Sequence, residues 1–523
     1  MLYPMNSFDY GTGHLTIGIC LDIAAGKVQG IIADEAANRI KISWLEVEKI
    51  VHAQKPVYGI NTGFGPLCDT RISEKDTSLL QSNILKSHSV GVGKPIPQEI
   101  AKLMLITKVH ALAQGYSGIA PQTLARIIWH IDNDIIPVVP EKGSVGASGD
   151  LAPLSHLFLP LIGLGFVVVG DEKHPAAQVL QKNNLQPLVL GPKEGLALIN
   201  GTQFILAFAI KAVQRLHNAL NVADLIGAMS LEGLKGSSRP FDARLHGIRP
   251  FKGTKYVARR LAALLNGSDI GSSHVDCDRV QDPYSLRCMP QVHGASRNAW
   301  LHLKELTEIE LNSVTDNPVI FNADDTISGG NFHGQPLAMP LDYATVAAAE
   351  LGNIADRRCY LMSEGRYGLP KLLTDDAGLN SGLMIPQYTT AALVTENKTL
   401  CFPASADSVP TSLGQEDHVS MGSISGRKLH MVIDNIEYIQ AIELLYASQA
   451  LDFRRPLQST PVIEACHQVV RQHVPFIKED RIFADDINAL HQLIISGRFE
   501  QVAGDAAQKH NINLNSDDEF GIY

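Results

Sequence analysis

The sequence predicts a mainly α-helical protein, in which a long-helix bundle is joined to a smaller mixed α/β N-terminal region that carries the loop 143–150. Three observations favour this fold class: long segments have apolar residues at helical spacing, strand signals are weak, and 45% of the 523 residues are hydrophobic. A single core stops growing near ~250–300 residues. We therefore expect an N-terminal domain of residues 1–200 and a helical-bundle domain of residues 201–523.

The predicted elements follow in chain order. Residues 1–70 are mixed and rich in turns, and residues 166–169 are the best strand candidate. From about residue 97 onward the pattern is mostly helical. Apolar residues repeat at steps of three and four, as on one face of a long helix, in four segments: 204–234, 299–311, 343–363 and 427–450.

Loops rich in glycine and polar residues separate these helices. They are residues 58–65, 143–150, 281–287, 329–334 and 415–420. A rigid helical frame commonly holds such loops at a functional site, although any one of them could be an ordinary turn.

The charge pattern argues against two classes of partner. The chain has 44 Lys and Arg against 54 Asp and Glu, a formal net charge of -10, and no basic block. This balance does not favour binding to nucleic acid or to an anionic membrane surface. The most apolar run, Leu157 to Val169, is interrupted by Pro160 and is shorter than the ~20 residues of a membrane span.

The cysteines and the N-terminus predict a cytoplasmic protein. Seven cysteines are scattered without a CxxC pair, which indicates reduced thiols and argues against a disulfide framework or a zinc ribbon. No lysine or arginine precedes Lys27, so the basic start of a secretory signal peptide is missing.

The segment Gly143-Ser144-Val145-Gly146-Ala147-Ser148-Gly149-Asp150 is the strongest motif. It is not a nucleophile elbow, because Asp150 stands where G-x-S-x-G requires its last glycine. A phosphate-binding P-loop also fails at residues 91–95, and no HExxH zinc motif occurs.

Residues 147–149 can undergo an unusual backbone reaction. The nitrogen of Gly149 can attack the carbonyl of Ala147 in a tight bend, because Gly149 has no Cβ and Ala147 is small. Ser148 can then lose its hydroxyl as water, which leaves a strongly electrophilic five-membered ring. Asp150 could assist proton movement or cap a helix starting near Leu151. An ordinary helix N-terminus remains the alternative for this motif.

Residues 143–156 (GSVGASGDLAPLSH) resemble the signature of the aromatic amino acid ammonia-lyases. The resemblance extends over about residues 57–454, and the first 45 or so residues carry none of its motifs. The other matching segments are 58–65, 87–88, 194–202, 281–287, 312–318, 330–334 and 415–421. The resemblance implies that Ala147, Ser148 and Gly149 form a 4-methylidene-imidazol-5-one group (MIO), with no metal and no external cofactor.

The resemblance also implies roles for individual residues. Tyr58 would be the base that removes the β-proton, and Asn200 would hydrogen-bond to the MIO carbonyl. Arg287 would hold the substrate carboxylate through a bidentate pair. The full set of expected catalytic residues is Tyr58, Ala147, Ser148, Gly149, Asn200, Tyr284 and Glu416. The expected substrate-binding residues are His88, Gln281, Arg287, Phe332, Met384 and Gln415.

The substrate is indicated by residues 415–421 (QEDHVSM), which resemble the family members that act on histidine. A carboxylate at Glu416 suits the N–H donors of an imidazole, whereas it would be unpaired beside a phenyl ring. Assistance in proton transfer to the departing amine is the alternative role for Glu416. We expect elimination of ammonia from L-histidine to give trans-urocanate. Alternatives are a tyrosine or phenylalanine ammonia-lyase, an aminomutase, or a catalytically inactive helical scaffold. Gly414, Met289 and His293 depart from the histidine-acting pattern.

The assembly expected from the resemblance is a homotetramer. Family active sites combine residues from three chains, with long helices stacked in a central bundle. Tyr58, the Ala-Ser-Gly triplet and Tyr284 therefore need not all come from one subunit.

Overall fold

The structure is a computed structural model that describes residues 6–53, 56–63, 65, 72–73, 76–275, 279–514 and 518–522. Phe64 of the loop 58–65 lies outside these residues, as do Cys68 and Cys277. The five described cysteines are free thiols.

The N-terminal part alternates helices with short strands. Its elements are β1 (Asn6–Asp9), α1 (Ile17–Ala24), β2 (Val28–Ile31), α2 (Asp34–His52), α3 (Thr77–His88), β3 (Val92–Pro95), α4 (Gln98–Ala113), α5 (Pro121–Asp132), β4 (Ile135–Pro137), β5 (Pro140–Lys142), α6 (Leu151–Phe158), β6 (Phe166–Val169), β7 (Glu172–Pro175), α7 (Ala176–Lys182) and α8 (Glu194–Ile199). Strand β1 pairs with β2 in parallel, β3 pairs with β5 antiparallel, and β4, β6 and β7 form an antiparallel sheet in that order. The mixed character of this region and the strand at residues 166–169 are confirmed.

Helices are the main elements of the remainder, with non-helical connections between them. Its elements are α9 (Gln203–Gly233), α10 (Ala243–Gly247), α11 (Lys252–Leu265), α12 (Asp269–Ser272), α13 (Tyr284–Arg287), α14 (Met289–Leu311), β8 (Val319–Asn322), β9 (Asp325–Ile327), α15 (Gln335–Ser363), α16 (Met384–Leu400), α17 (Gly422–Asp452), α18 (Pro461–His473), α19 (Phe483–Ile495) and α20 (Arg498–Lys509). Strands β8 and β9 form an antiparallel hairpin. The mainly α-helical fold class is confirmed.

Helix α9 is the central element of the bundle. It packs against α17, α14 and α15, and α15 in turn packs along α17. Every residue of α9 is buried over its first eight positions and again from Asn221 to Gly233. The predicted apolar stripe is buried, as expected. The buried surface of α9 is wider than that stripe, because other elements surround the helix near both of its ends.

Helix α14 begins ten residues before the predicted start at 299. Its first turns carry polar side chains that are fully buried against Asp224 of α9. His293 Nδ1 lies 2.8 Å from Asp224 Oδ1, and Arg297 Nη2 donates to Asp224 Oδ2 at 2.6 Å. Apolar periodicity cannot detect a helical face that is buried through ion pairs instead of through apolar contacts.

The two predicted domains remain a proposal. Their boundary at residue 200 falls in the short connection between α8 and α9. Within the described part of the chain, no helix is both long enough and apolar enough to cross a membrane.

Candidate active site

Five of the predicted site residues line one cavity of about 450 Å³. They come from distant parts of the chain and are Tyr58, His88, Ser148, Asn200 and Glu416. The other lining residues are Gly63, Gly65, Ile72, Leu80, Asn83, Ile84, Ser87, Leu151, Leu196 and Ser412. No arginine or lysine is found among these described lining residues.

The backbone of the 143–150 loop bends sharply at Ser148 and Gly149. Ser148 has a φ of 48° and Gly149 a φ of 83°, both in the left-handed region. A Cβ on Gly149 would lie 2.1 Å from the carbonyl oxygen of Gly201, so only glycine fits. The Asp150 N–H donates to that same oxygen at 2.8 Å, and the Gly201 N–H donates to the Ser148 carbonyl at 3.4 Å.

The other side of the loop is held at the start of α17. The Met421 N–H donates to the Val145 carbonyl at 2.9 Å, and Ser423 Oγ donates to the Ser144 carbonyl at 2.7 Å. A Cβ on Gly146 would lie 2.2 Å from Ser420 Oγ. Gly146 and Gly149 thus allow the loop to approach the starts of two different helices closely.

Asp150 caps a different helix from the one expected. It stands at the N-cap position of α6, but its side chain makes no cap hydrogen bond there. Instead Oδ2 accepts the backbone N–H groups of Phe204 and Ile205, at 3.1 and 3.0 Å, in the first turn of α9. A helix does start at Leu151, as expected, but the Asp150 side chain does not cap it, and the alternative role of Asp150 in proton movement stays a prediction. Burial raises the pKa of Asp150 to about 7, against the lowering effect of these N–H donors.

Glu416 is the direct partner of the Ser148 hydroxyl. Ser148 Oγ donates to Glu416 Oε1 at 2.7 Å. The second carboxylate oxygen, Oε2, accepts hydrogen bonds from Ser412 Oγ at 2.7 Å and from Thr411 Oγ1 at 3.1 Å. These two hydroxyl groups were missed by the sequence reasoning, and only their closeness to Glu416 in the chain could have indicated them.

His88 lies at the end of α3 and lines the same cavity. Its Nδ1 is 3.0 Å from Ser87 Oγ. Burial lowers the pKa of His88, while the carboxylate of Glu416 acts in the opposite direction. A lowered pKa favours the neutral ring at physiological pH, in which one nitrogen donates and the other accepts.

Tyr58 presents its phenolic oxygen to a backbone donor. The Gly65 N–H donates to Tyr58 Oη at 3.2 Å. A hydrogen bond donated to this oxygen favours negative charge on it, as a general base requires.

Asn200 ends helix α8 and is buried beside the loop. Its side-chain Oδ1 has no hydrogen-bond partner among the described residues. Its backbone carbonyl accepts a hydrogen bond from the buried Lys108, whose pKa is lowered to about 7 by burial. Asn200 does not cap the long helix that follows, because Thr202 holds the N-cap position of α9.

Of the other predicted residues, Ala147 and Gly149 flank Ser148 in the loop, and the remaining six are not among the residues that line this cavity in the single chain. Gln281 and Arg287 line a separate cavity of about 810 Å³. Tyr284, on α13, is 71% exposed and packs its ring against the Arg287 guanidinium. Gln415 is exposed, and Phe332 and Met384 are half-buried on other segments.

The site does not have the composition of a metal centre. In residues 6–53, 76–275, 279–514 and the shorter described segments, no group of three or more His, Cys, Asp or Glu side chains could hold an ion.

A comparison of the sequence with models of known protein families finds a match over most of the chain. A profile described as "Aromatic amino acid lyase" matches residues 15–472. The match begins at residue 15, so it includes most of the first 45 residues, in which no motif of the family was recognised.

Close relatives and solved structures cover almost the whole chain. Histidine ammonia-lyase of Stigmatella aurantiaca is 47% identical over 479 residues, which are 91% of this chain and 94% of that protein. Histidine ammonia-lyase of Symbiobacterium thermophilum is 46% identical over 94% of this chain and 98% of its own length.

Two solved structures have the same fold. Histidine ammonia-lyase from Trypanosoma cruzi aligns with a TM-score of 0.90 at 39% identity, over 99% of this chain and 97% of that chain. Tyrosine aminomutase from Streptomyces globisporus aligns with a TM-score of 0.91 at 35% identity, over 98% and 100%. The sequence match and the shared fold together make this chain a member of the aromatic amino acid lyase family, and thus a carbon–nitrogen lyase.

Proposed function

We propose that this protein eliminates ammonia from L-histidine and releases trans-urocanate. The observation that carries the proposal is the meeting of Ser148, Tyr58, His88 and Glu416 around one cavity. The similarity to proteins named histidine ammonia-lyase, at 43% to 48% identity, supports the same substrate.

Residues 147–149 fit the formation of MIO. Gly149 sits where no Cβ is tolerated, Ser148 faces the cavity, and both have left-handed backbone angles. The MIO group would supply an electrophile that draws electrons from the substrate and makes departure of the amine easier. Asn200 and the Gly201 N–H, which already donates to the Ser148 carbonyl, would hold it. No external cofactor is part of the proposal.

Tyr58 is proposed as the base that takes the β-proton. The Gly65 N–H stabilises negative charge on its phenolic oxygen. Tyr58 and Ser148 line the same cavity, which supports this role.

Glu416 and His88 are proposed to recognise the imidazole ring. Thr411 and Ser412 hold one oxygen of the Glu416 carboxylate, so that the other is directed at the Ser148 side of the cavity. An imidazole N–H can donate to the other oxygen, Oε1, whereas a phenyl ring offers Oε1 no donor.

The complete site is proposed to form between chains of a homotetramer. The substrate carboxylate needs a cation, yet the described residues around the cavity include no arginine or lysine. Arg287, with Gln281 and Tyr284, lies at a different surface and would reach a neighbouring chain's cavity, and we propose the same for Phe332, Met384 and Gln415.

Exposed apolar side chains support this assembly. They lie along α14, α15 and α16 and are Ile309, Met339, Tyr343, Val346, Ile385 and Tyr388. These three helices are neighbours, with α14 packed on α15 and α15 on α16, and exposed apolar patches commonly mark protein–protein contacts. We further propose a cytoplasmic location, to which the free thiols of the described cysteines are suited.

A substrate panel tests the proposed function. L-histidine should generate a conjugated acrylate absorbance, while L-tyrosine and L-phenylalanine should react at least ~10²-fold more slowly. Two further substrates are histidines methylated on one or the other ring nitrogen. The enzyme should turn over more slowly the one in which the methyl group replaces the N–H hydrogen that faces Glu416. Preferential turnover of tyrosine or phenylalanine, or a β-amino acid as the main product, would rule the proposal out.

A further inference from the structure

We propose that Glu416 acts before the first turnover, as the proton donor that removes the Ser148 hydroxyl during formation of the MIO ring. This inference rests on the proposed function, because it concerns how the same site matures. It assigns Glu416 two successive tasks, of which recognition of the substrate is the second.

The contact that carries the inference is the hydrogen bond between Ser148 Oγ and Glu416 Oε1, at 2.7 Å. Among the described residues, Glu416 is the one side chain that contacts this hydroxyl. The two residues are 268 positions apart in the chain, so the fold has to bring the carboxyl group to the serine.

The carboxyl group is held in place for this task. Oε2 accepts hydrogen bonds from Ser412 and Thr411, which leaves Oε1 directed at Ser148. The Thr411 N–H also donates to the Glu416 carbonyl at 2.8 Å, so the loop that carries the acid is closed on itself. Such positioning lowers the entropic cost of a proton transfer.

Ring formation releases two molecules of water in separate steps. In the first, the Gly149 nitrogen bonds to the Ala147 carbonyl carbon. The Ala147 oxygen leaves as water with one hydrogen from the Gly149 nitrogen and one from the Ser148 nitrogen. No oxidant is needed.

The second step removes the Ser148 hydroxyl, and it needs an acid because hydroxide is a poor leaving group. When Glu416 is in its acid form with the proton on Oε1, the direction of its hydrogen bond with Ser148 reverses, and this proton passes to Oγ as the Cβ–Oγ bond breaks. The electron pair of the Cα–H bond becomes the Cα=Cβ double bond, and the Cα proton passes to a water molecule. Glu416 then takes a proton back from solvent, so that one water is lost overall.

Asp150 is adjacent in sequence but is not placed for this transfer. Its Oδ2 faces the N–H groups of Phe204 and Ile205, and its Oδ1 accepts a hydrogen bond from Ser144 Oγ at 3.4 Å. Both carboxyl oxygens of Asp150 are thus engaged away from the Ser148 hydroxyl.

The inference connects maturation with recognition. While the Ser148 hydroxyl is present, it occupies Glu416 Oε1. Loss of this hydroxyl as water frees the same oxygen to accept an imidazole N–H.

The test follows water loss by mass spectrometry in freshly synthesised protein. Trypsin releases the segment between Lys142 and Lys173, which contains the triplet. In a cell-free synthesis time course, the wild-type peptide should become lighter by two waters. Glu416→Gln should accumulate the peptide lighter by one water and lose the second ~10²-fold more slowly. Asp417→Asn, which changes the exposed neighbouring acid, is the matched control and should follow the wild type.

A second variant separates proton donation from an effect on folding. In Glu416→Ala, added acetate should restore loss of the second water, because it supplies a carboxylic acid in the vacated space. Loss of both waters from Glu416→Gln at the wild-type rate would overturn the inference, and so would a slow Glu416→Ala that acetate does not rescue. If the wild-type peptide loses no water, the proposed function itself fails.

Discussion

Ser148 combines an uncommon backbone conformation with a reactive position. A residue with a Cβ occupies the left-handed region at a cost of roughly 1–2 kcal/mol, and the bonds to Gly201 on one side of the loop hold it there. Its hydroxyl faces the cavity and Glu416, and its carbonyl receives the Gly201 N–H. The side-chain hydroxyl and the backbone carbonyl of Ser148 are therefore both held by partners that suit formation of the proposed ring.

Ser148→Ala should lower histidine turnover by at least ~10³-fold, since alanine has no hydroxyl to eliminate and no electrophile can form. The fold should persist, because one side-chain hydrogen bond contributes about 1 kcal/mol. Steady-state turnover and thermal unfolding measure the two effects. Ser155→Ala, which removes a hydroxyl bonded to the Leu151 carbonyl within α6, is the control and should stay active. Turnover of Ser148→Ala within tenfold of the wild type would contradict the assigned electrophile.

The N-terminal turns of two helices hold the loop that carries Ser148. The loop 143–150 lies between the first turns of α9 and α17, and Asp150 joins it to α9 through the Phe204 and Ile205 N–H groups. A buried acceptor at a helix N-terminus satisfies backbone donors that would otherwise lack partners. The position of the reactive triplet thus depends on two long helices of the bundle.

The pKa of Asp150 gives this arrangement a pH dependence. Its pKa in the folded state is raised to about 7 by burial, from 3.8 as a reference. The carboxyl group therefore contributes most stability when protonated, and this contribution falls as pH rises from about 4 through about 7. In Asp150→Asn, the amide oxygen can still accept from α9, and the buried charge is absent. The unfolding free energy of Asp150→Asn relative to the wild type should thus rise by a few kcal/mol between about pH 5 and about pH 8.

Thermal or denaturant unfolding at several pH values measures this difference, with Asp417→Asn as the exposed control. A difference between Asp150→Asn and wild type that stays constant over this range would show that Asp150 does not titrate in the folded protein.

The periodicity of the sequence predicts elements better than it predicts their contacts. Residues 204–234 and 427–450 are helices within a few positions of the predicted ends, because apolar residues dominate their buried faces. The start of α14 could not be predicted, because its His293 and Arg297 are buried through Asp224. His293 departs from the pattern of the histidine-acting family members. Its contact with Asp224 shows that it helps to hold α14 against α9.

The site was predictable only in part, for a similar reason. Motifs indicate which residues carry chemistry, but they do not report that Ser148 and Glu416 touch or that Asp150 turns towards α9. Such contacts join residues far apart in the chain, and local patterns contain no information about them. Thr411 and Ser412 are close to Glu416 in the chain, but closeness alone does not show that their hydroxyl groups hold its carboxylate.

At the scale of the whole molecule, several predicted site residues do not line the cavity of their own chain. Tyr284 and Arg287 are displayed together at the surface, while the cavity of the same chain lacks a described cation. Apolar positions on α14, α15 and α16 are exposed in the single chain. A homotetramer would cover these faces and complete each cavity with residues from neighbouring chains.

Complementation between two inactive variants tests shared sites. Ser148→Ala and Tyr284→Phe should each lose most turnover as pure proteins. Co-expressed with different tags and purified through both, they should regain turnover well above either parent, because some sites combine an intact Ser148 from one chain with an intact Tyr284 from another. Separately purified parents, mixed without exchange, serve as the control. Hybrids no more active than the parents would show that each site is built from one chain.

The most direct measurement of the account is the mass of the peptide between Lys142 and Lys173 in purified protein that turns over L-histidine. The account predicts a peptide lighter than its sequence by two waters, with the change confined to Ala147, Ser148 and Gly149. An unmodified peptide in an active preparation would contradict it.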